Sequence, residues 1–233
     1  MQARVAVAKV GKYATPESGD SLEMIERPAG GLSFVLVDGQ SSGKAAKAVA
    51  NVVARKAIGL LADGVRDGAA ARAASDYLFT YRSGKVSATL NILSIDMHSR
   101  TLVITRNNPT PVLLMEAGKA RMLCEPSEAV GTRRDIRPQI HEVPLSIGLV
   151  AVVCTDGLVH AGSRTGRTCD WLIEVQRLQD AGGSDPQRWA DQILATAVGL
   201  DDGRPTDDIS IVVAMITPQD GDDARRLRVS VPL

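Results

Sequence analysis

The sequence predicts an α+β fold in which two antiparallel sheets pack face to face with helices on their outer sides. Three observations carry this. First, the 233 residues contain many short segments rich in Val, Ile and Leu, separated by Gly, Pro, Asn and Asp, which is the pattern of strands joined by turns. Second, alanine-rich or amphipathic segments of helical spacing come in two places only, two early in the chain and two late. Third, several strand segments are apolar throughout rather than alternating. Both faces of such strands must be covered, and paired sheets with helices outside achieve that.

The elements follow in order. Residues 4–10 alternate and read as a first strand. Residues 12–20 are rich in turn formers and end in Glu17-Ser18-Gly19-Asp20. Segments 22–27 and 32–37 flank Pro28-Ala29-Gly30-Gly31 and read as a hairpin. Asp20 then lands near Asp38-Gly39, the turn dipeptide where the second of these strands ends. Ser41 or Ser42 is the expected N-cap of a helix over 43–61, whose apolar positions are Val49, Val52, Val53, Ile58 and Leu61. A second helix covers 69–79. Residues 85–96 alternate as a half-buried strand, and 101–106, 112–115, 121–124 and 139–143 continue the strand pattern. Ala151 to Leu158 repeats the design of an apolar run ending in Asp-Gly, here Asp156-Gly157. Segments 171–179 and 186–198 are helical, the second with Asp185 near its cap and Gly199 past its end. Thr206-Asp207-Asp208 stands directly before an apolar strand over 209–216. Residues 219–228 read as a charged, mobile tail, with 227–233 as a final strand.

Bulk composition excludes several function classes. The 27 basic and 27 acidic residues cancel, so nothing favours nucleic acid or an anionic membrane. Aromatics are 3% of the chain, too few for base-stacking platforms. No apolar run reaches membrane-span length, and the N-terminus does not open a signal peptide. The three cysteines lack metal or redox spacing, which points to a reducing, cytoplasmic setting. Cys154, inside an apolar run, is a packing residue.

Acidic residues are where the chemistry concentrates. In an antiparallel arrangement the end of one strand lies beside the start of its neighbour. Asp38 and Asp156 follow strands, whereas Asp20 and Asp207 precede them. All four can therefore meet at one edge. Clustered carboxylates repel one another unless a cation neutralises them, and all-oxygen ligation suits Mg²⁺, Mn²⁺ or Ca²⁺.

In this order the motifs resemble those of the PPM (type 2C) metal-dependent serine/threonine phosphatases, in particular the SpoIIE-like branch with its small stressosome-associated members. The motifs are Ser18-Gly19-Asp20, Asp38-Gly39 with Gly43 and the helix after it, Ser87-Ala88-Thr89-Leu90 with Asp96, Thr155-Asp156-Gly157-Leu158, and Asp207-Asp208-Ile209-Ser210. The resemblance implies a four-layer α-β-β-α sandwich, with residues 1–233 as a single catalytic domain. It implies two Mn²⁺ or Mg²⁺ ions. Asp38 would bridge them, the Gly39 carbonyl would help ligate one, Asp156 and Asp207 would hold the second, and Asp20 would support the first. Asp38 and Asp156 would thus be the catalytic carboxylates. The reaction would be hydrolysis of phosphoserine or phosphothreonine by a metal-activated water, on a phosphorylated regulatory protein of the STAS anti-anti-sigma type, in stress signalling. Departures stand beside this. Gln40, Ser41 and Ser42 occupy the region where relatives carry a histidine, Asn107-Asn108-Pro109-Thr110-Pro111 lacks another, and the general acid is unassigned. These losses leave a second reading open, a non-catalytic binding module for a phosphoprotein. Asp208 is either a ligand in place of Asp207 or a backbone acceptor at the strand start. Asp63, Asp67 and Asp76 read as caps or exposed acids, Asp201-Asp202 as loop, Arg133, Arg134 and Arg137 as a solvated face or a contact for an acidic partner, and His160 as a surface residue able to approach substrate.

Overall fold

The structure, a computed structural model, describes residues 1–231. Ten strands form two five-stranded sheets. Strands β1 (Gln2–Val10), β2 (Asp20–Glu26) and β3 (Gly31–Gly39) lead to helices α1 (Gly43–Ala62) and α2 (Asp67–Arg82). Then come β4 (Ala88–Asp96), β5 (Thr101–Asn107), β6 (Val112–Glu116), β7 (Lys119–Leu123), β8 (Gln139–Pro144) and β9 (Val150–Cys154). Helices α3 (Asp156–His160), α4 (Trp171–Asp180) and α5 (Pro186–Leu200) precede the last strand, β10 (Ile209–Thr217). One sheet has the order β1-β10-β9-β6-β7, the other β2-β3-β4-β5-β8. Every neighbouring pair is antiparallel.

Side-chain alternation explains the continuously apolar strands. Val35 and Val37 of β3, with Leu90 and Ile92 of β4, pack under α1 and α2 against Ala50, Val53 and Leu78. Phe34, Leu36, Leu93 and Ile95 point the other way and meet Val212, Ala214 and Ile216 of β10 between the sheets. On β10, Ile211, Val213 and Met215 face Trp189 and Ile193 of α5. Each of these strands has both of its faces buried because a period of two sends successive side chains into different apolar layers. The result is the helix–sheet–sheet–helix layering that the sequence predicted. Truncating a side chain such as Ile92, which is fully buried, costs about 2–5 kcal/mol.

Several expectations are corrected. Asp156, expected in a turn at the strand end, instead opens α3 after β9 stops at Cys154. The strand over 85–96 begins only at Ala88. Ser42 holds the N-cap position of α1 without a side-chain cap bond. Residues 227–231 form no strand, and the last two residues of that expected strand lie outside the described residues. Asp67 is not an exposed cap but is buried, and its carboxylate takes Arg27 Nη1 at 2.6 Å and the Ser94 hydroxyl. Asp201 is likewise buried, accepting from the backbone N–H of Gly162 and Thr206 at 3.0 and 3.3 Å. Among the described residues no helix is long and apolar enough to cross a membrane.

Candidate metal centre

The acids gather because of register. Asp20 lies directly opposite Asp38 across β2 and β3. In the other sheet, Cys154 at the end of β9 lies opposite Ile211 near the start of β10. Asp156, just after β9, and Asp207, just before β10, therefore sit at one end. The acids thus gather at the matched ends of two opposed sheets, and hydrogen bonds between them fix the match. The hydroxyls of Thr155 and Ser210, from one sheet, donate to Asp20 Oδ2 of the other at 3.1 and 2.5 Å. The Thr155 hydroxyl also accepts from Ser210 N–H at 3.0 Å. Neither residue was singled out in sequence as a support for Asp20. Their signal was present: each is a hydroxyl at the edge of an otherwise apolar strand.

Asp20 is consequently one-sided. Its Oδ2 is taken by the two hydroxyls, while Oδ1 is buried without a partner. Its own carbonyl accepts from Lys9 Nζ at 3.1 Å and Lys47 Nζ at 2.6 Å, which ties β1 and α1 to the start of β2. A buried carboxylate oxygen with no partner is costly, and a cation is the partner it lacks.

Asp207 and Asp208 separate cleanly. Asp207 lines the cleft. Asp208 turns inward, where its Oδ1 accepts Lys12 N–H at 2.9 Å and its Oδ2 accepts Gly19 N–H at 2.8 Å. It clasps both ends of the loop that carries the chain from β1 to β2, the backbone role foreseen as one of its two options. Asp96, quoted among the family motifs, sits at the far end of β4 opposite Gly31 and accepts from the His98 and Ser99 backbone. It takes no part in the centre.

The cleft between these ends holds about 440 Å³ and is lined by Asp38, Gly39, Asp156 and Asp207 with the polar residues Lys12, Ser41, Ser42, Ser87 and Thr89. Lys12 is the one basic side chain of its lining. Gln40 is held by Ser87, whose N–H donates to its Oε1 at 2.8 Å. Glycine at 39 has a reason beyond the approach of an ion: a Cβ there would stand 2.0 Å from the Ala46 carbonyl oxygen of α1. At Gly157 a Cβ would stand 2.1 Å from the carbonyl oxygen of Asp208. The segment 107–111 carries the chain between the sheets at this end. Asn108 Oδ1 accepts Thr110 N–H at 2.9 Å, and its Nδ2 donates to the Cys154 carbonyl at 3.4 Å. His160 is exposed beyond Asp156.

Electrostatics follow from the crowding. Burial pushes the Asp38 carboxyl up to about 8, and the charges of Asp20, Asp156, Asp207 and Asp208 push in the same direction. Asp20 is raised to about 6 by burial, against the opposing hydrogen bonds from Ser210 and Thr155. Asp156 is raised by burial and by Asp207, with His160 and a hydrogen bond to Asp38 acting against the rise. Burial holds the Cys154 thiol protonated, consistent with its place in the apolar layer. Among the described residues no three acidic, imidazole or thiol side chains already converge on a single ligating point. The acids repel one another around the cleft, a repulsion relieved only in part by the Asp156–Asp38 hydrogen bond. Their donor set is all oxygen and net anionic, with one orphaned carboxylate oxygen, and this fits hard divalent cations.

Comparison with known proteins agrees with this architecture. The profile of the family described as Stage II sporulation protein E (SpoIIE) matches residues 28–217. That span runs from β3 through β10 and contains Asp38, Asp156 and Asp207, while Asp20 lies before it. A curated relative, Stage II sporulation protein E of Priestia megaterium, is 20% identical over 210 residues, covering 90% of this chain and 36% of its own. The chain thus spans about a third of that relative's length. The solved PP2C phosphatase domain of SpoIIE from Bacillus subtilis, with a fragment of its regulatory domain, superposes with a TM-score of 0.79 at 20% identity, over 93% of this chain and 64% of that one. The catalytic domain of the serine/threonine phosphatase PstP in complex with two manganese ions gives 0.69 at 16% identity, over 92% and 98%. The fold is therefore that of the PP2C phosphatase domains, and the chain belongs to the SpoIIE family.

Proposed function

We propose that this protein is a metal-dependent phosphatase that hydrolyses phosphoserine or phosphothreonine on another protein. One observation carries the reading: Asp38, Asp156 and Asp207, from three separate places in the sequence, face one polar cleft in which Asp38 cannot ionise freely without a counter-cation. Two Mn²⁺ or Mg²⁺ ions would be held there. Asp38 would be the carboxylate within reach of both, because it is flanked by acids of both sheets, Asp20 on β2 and Asp156 and Asp207 at the ends of β9 and β10. Its two oxygens permit this. The Gly39 carbonyl and the free Oδ1 of Asp20 would help hold one ion, and Asp156 and Asp207 would hold the other. Such ions lower the pKa of water and neutralise phosphoryl oxygens.

The chain's own residues do the rest. Lys12, fixed through its backbone to Asp208, offers positive charge to the phosphate dianion. Gln40 spends its amide oxygen on Ser87 and has no proton to donate as an acid. Water attacks phosphorus, the bond from phosphorus to the serine oxygen breaks with both electrons going to that oxygen, and the proton lost by the water reaches it through solvent, so no side chain need be phosphorylated. Residues 1–233 work as one catalytic domain. By resemblance the substrate is a small phosphorylated regulator of the STAS anti-anti-sigma type, met in the cytoplasm during stress signalling.

The test is turnover of para-nitrophenyl phosphate and of a phosphoserine protein with Mn²⁺, with Mg²⁺ and with EDTA, alongside folded Asp156→Asn and Asp207→Asn variants. Activity is expected only with metal and is expected to be lost in both variants. Full activity in EDTA, or near-normal turnover in both variants, would overturn the reading. Metal binding with no turnover on either substrate would favour the phosphoprotein-binding module instead.

A further inference from the structure

The chain has only seven aromatic residues, two tryptophans, three tyrosines and two phenylalanines, and three of them fall within residues 77–81 of α2. Trp171 and Trp189 fill the core, but Tyr77 and Tyr81 are 45% and 56% exposed. Their rings stack with centroids 6.0 Å apart. The Arg82 guanidinium lies 4.9 Å over the Tyr81 ring, and that of Arg134 lies 5.3 Å over Phe79 while donating to the Thr80 hydroxyl at 3.1 Å. These cations are thus held against aromatic rings while staying exposed. Exposed tyrosine beside fixed arginine is the composition of a binding surface rather than of ordinary solvated helix.

Position gives the surface its meaning. It stands at the cleft end of α2. The segment bearing Arg133 and Arg134 also bears Ala129, which lines the cleft, and Val130, which exchanges backbone hydrogen bonds of 3.1 and 2.8 Å with Ala88 of the cleft wall. Gly131 N–H donates to Ser75 of α2 at 3.1 Å. Ledge and cleft wall are therefore joined directly by hydrogen bonds. Their charges are opposite. The ledge presents Arg82, Lys85, Arg133 and Arg134 against Asp76, Asp135 and Glu128, and Glu128 is already paired with Arg133. The cleft is carboxylate. Because the whole chain is neutral, this sorting is local.

We propose that the ledge of Tyr81, Arg82 and Arg134 docks acidic residues flanking the phosphorylated residue of a protein substrate. This rests on the phosphatase reading of the cleft. With its carboxylates committed to cations the cleft would take the phosphate itself, and acidic neighbours of the phosphoserine are accommodated where they lie on the cationic step beside it. Guanidinium pairs carboxylate in a fixed planar geometry, so flanking glutamate or aspartate also sets the substrate's direction.

The test measures binding, by fluorescence anisotropy, of two peptides carrying a non-hydrolysable phosphonate analogue of phosphoserine, one flanked by glutamates and one by lysines. At low salt the glutamate peptide is expected to bind about fivefold tighter, the size of one or two solvent-screened charge contacts, and the advantage should fade as salt rises. The Arg82→Glu/Arg134→Glu double variant is expected to transfer the preference to the lysine peptide, with para-nitrophenyl phosphate turnover unchanged. A misfolded protein cannot reverse a preference. Equal binding of the two peptides, or a preference untouched by the reversal, would overturn the proposal. So would a reversal that removes only binding to phosphatidylserine vesicles. Absence of para-nitrophenyl phosphate turnover in the parent protein counts against the phosphatase reading and leaves the peptide comparison intact.

Discussion

Replacing Asp38 by asparagine should stabilise the metal-free protein while removing its activity. A carboxyl held near 8 against an ordinary value near 4 represents about 5–6 kcal/mol at full ionisation, at about 1.4 kcal/mol per tenfold in proton affinity. Solvent reaches the half-buried side chain from the cleft and screens part of this, so about 2–3 kcal/mol is expected at pH 8. The sign follows from proton binding. Between about pH 4 and pH 8 the folded state holds the Asp38 proton and the unfolded state does not, so stability falls as pH rises through that window. Asparagine has no proton to lose and removes the slope. In EDTA at pH 8 the variant should melt about 5–10 °C above the parent, given about 2–4 °C per kcal/mol for a chain of this size. The gap should close as pH approaches 4. With saturating Mn²⁺ the order should invert, because the parent gains a ligand the variant cannot bind well. Thermal melts of both proteins in EDTA and in Mn²⁺ across this pH range decide it. An equal or lower melting temperature for the variant in EDTA at pH 8 would refute the electrostatic account of the cleft.

Further outcomes follow from the same contacts. Asp208→Ala orphans the N–H groups of Lys12 and Gly19 and should cost about 2–4 kcal/mol at roughly 1–3 per buried group, read by urea unfolding; loss of stability below about 1 kcal/mol would show the loop closes without it. Gly39→Ala should prevent normal packing of α1, because its Cβ meets the Ala46 carbonyl oxygen at 2.0 Å. Soluble, native-like expression of that variant would contradict the placement of α1. Arg27→Ala leaves Asp67 buried without its cation and should cost about 3–5 kcal/mol, whereas the double Arg27→Met/Asp67→Leu variant should recover much of it, a contrast that denaturant unfolding of the pair measures.

Much of the architecture was legible in the chain because it depends on local patterning. Alternation, turn dipeptides and the Ala-rich 43–61 segment mark the strands and helices, and uninterrupted apolar runs such as Ile209–Thr217 require covering on both faces. Asp20 beside Asp38 follows from a short hairpin, whose tight turn leaves one register. Asp156 opening a helix was not legible, since Asp-Gly serves both as a turn and as a first helical step, and only the neighbouring strand decides between them. Asp67 looks like a cap or an exposed acid in sequence and Asp201 like a loop residue, and their burial depends on partners at Arg27, Gly162 and Thr206.

Residue type and order alone indicate which acids could supply oxygen ligands, which strand ends they occupy, and that two layers of sheet must be sheltered by helices. These are consequences of side-chain period and turn chemistry, which act within about ten residues. Tertiary structure alone decided three things. It set the face-to-face alignment of the two sheets, fixed by the hydroxyls of Thr155 and Ser210 on Asp20 across a separation of 135 and 190 residues. It divided Asp207 from Asp208, adjacent in the chain but turned one to the cleft and one to a backbone loop. It also placed a cationic, aromatic ledge beside an anionic cleft. No local rule specifies these, because each depends on distant segments sharing one small volume, where burial turns modest charges and single hydrogen bonds into the deciding energies.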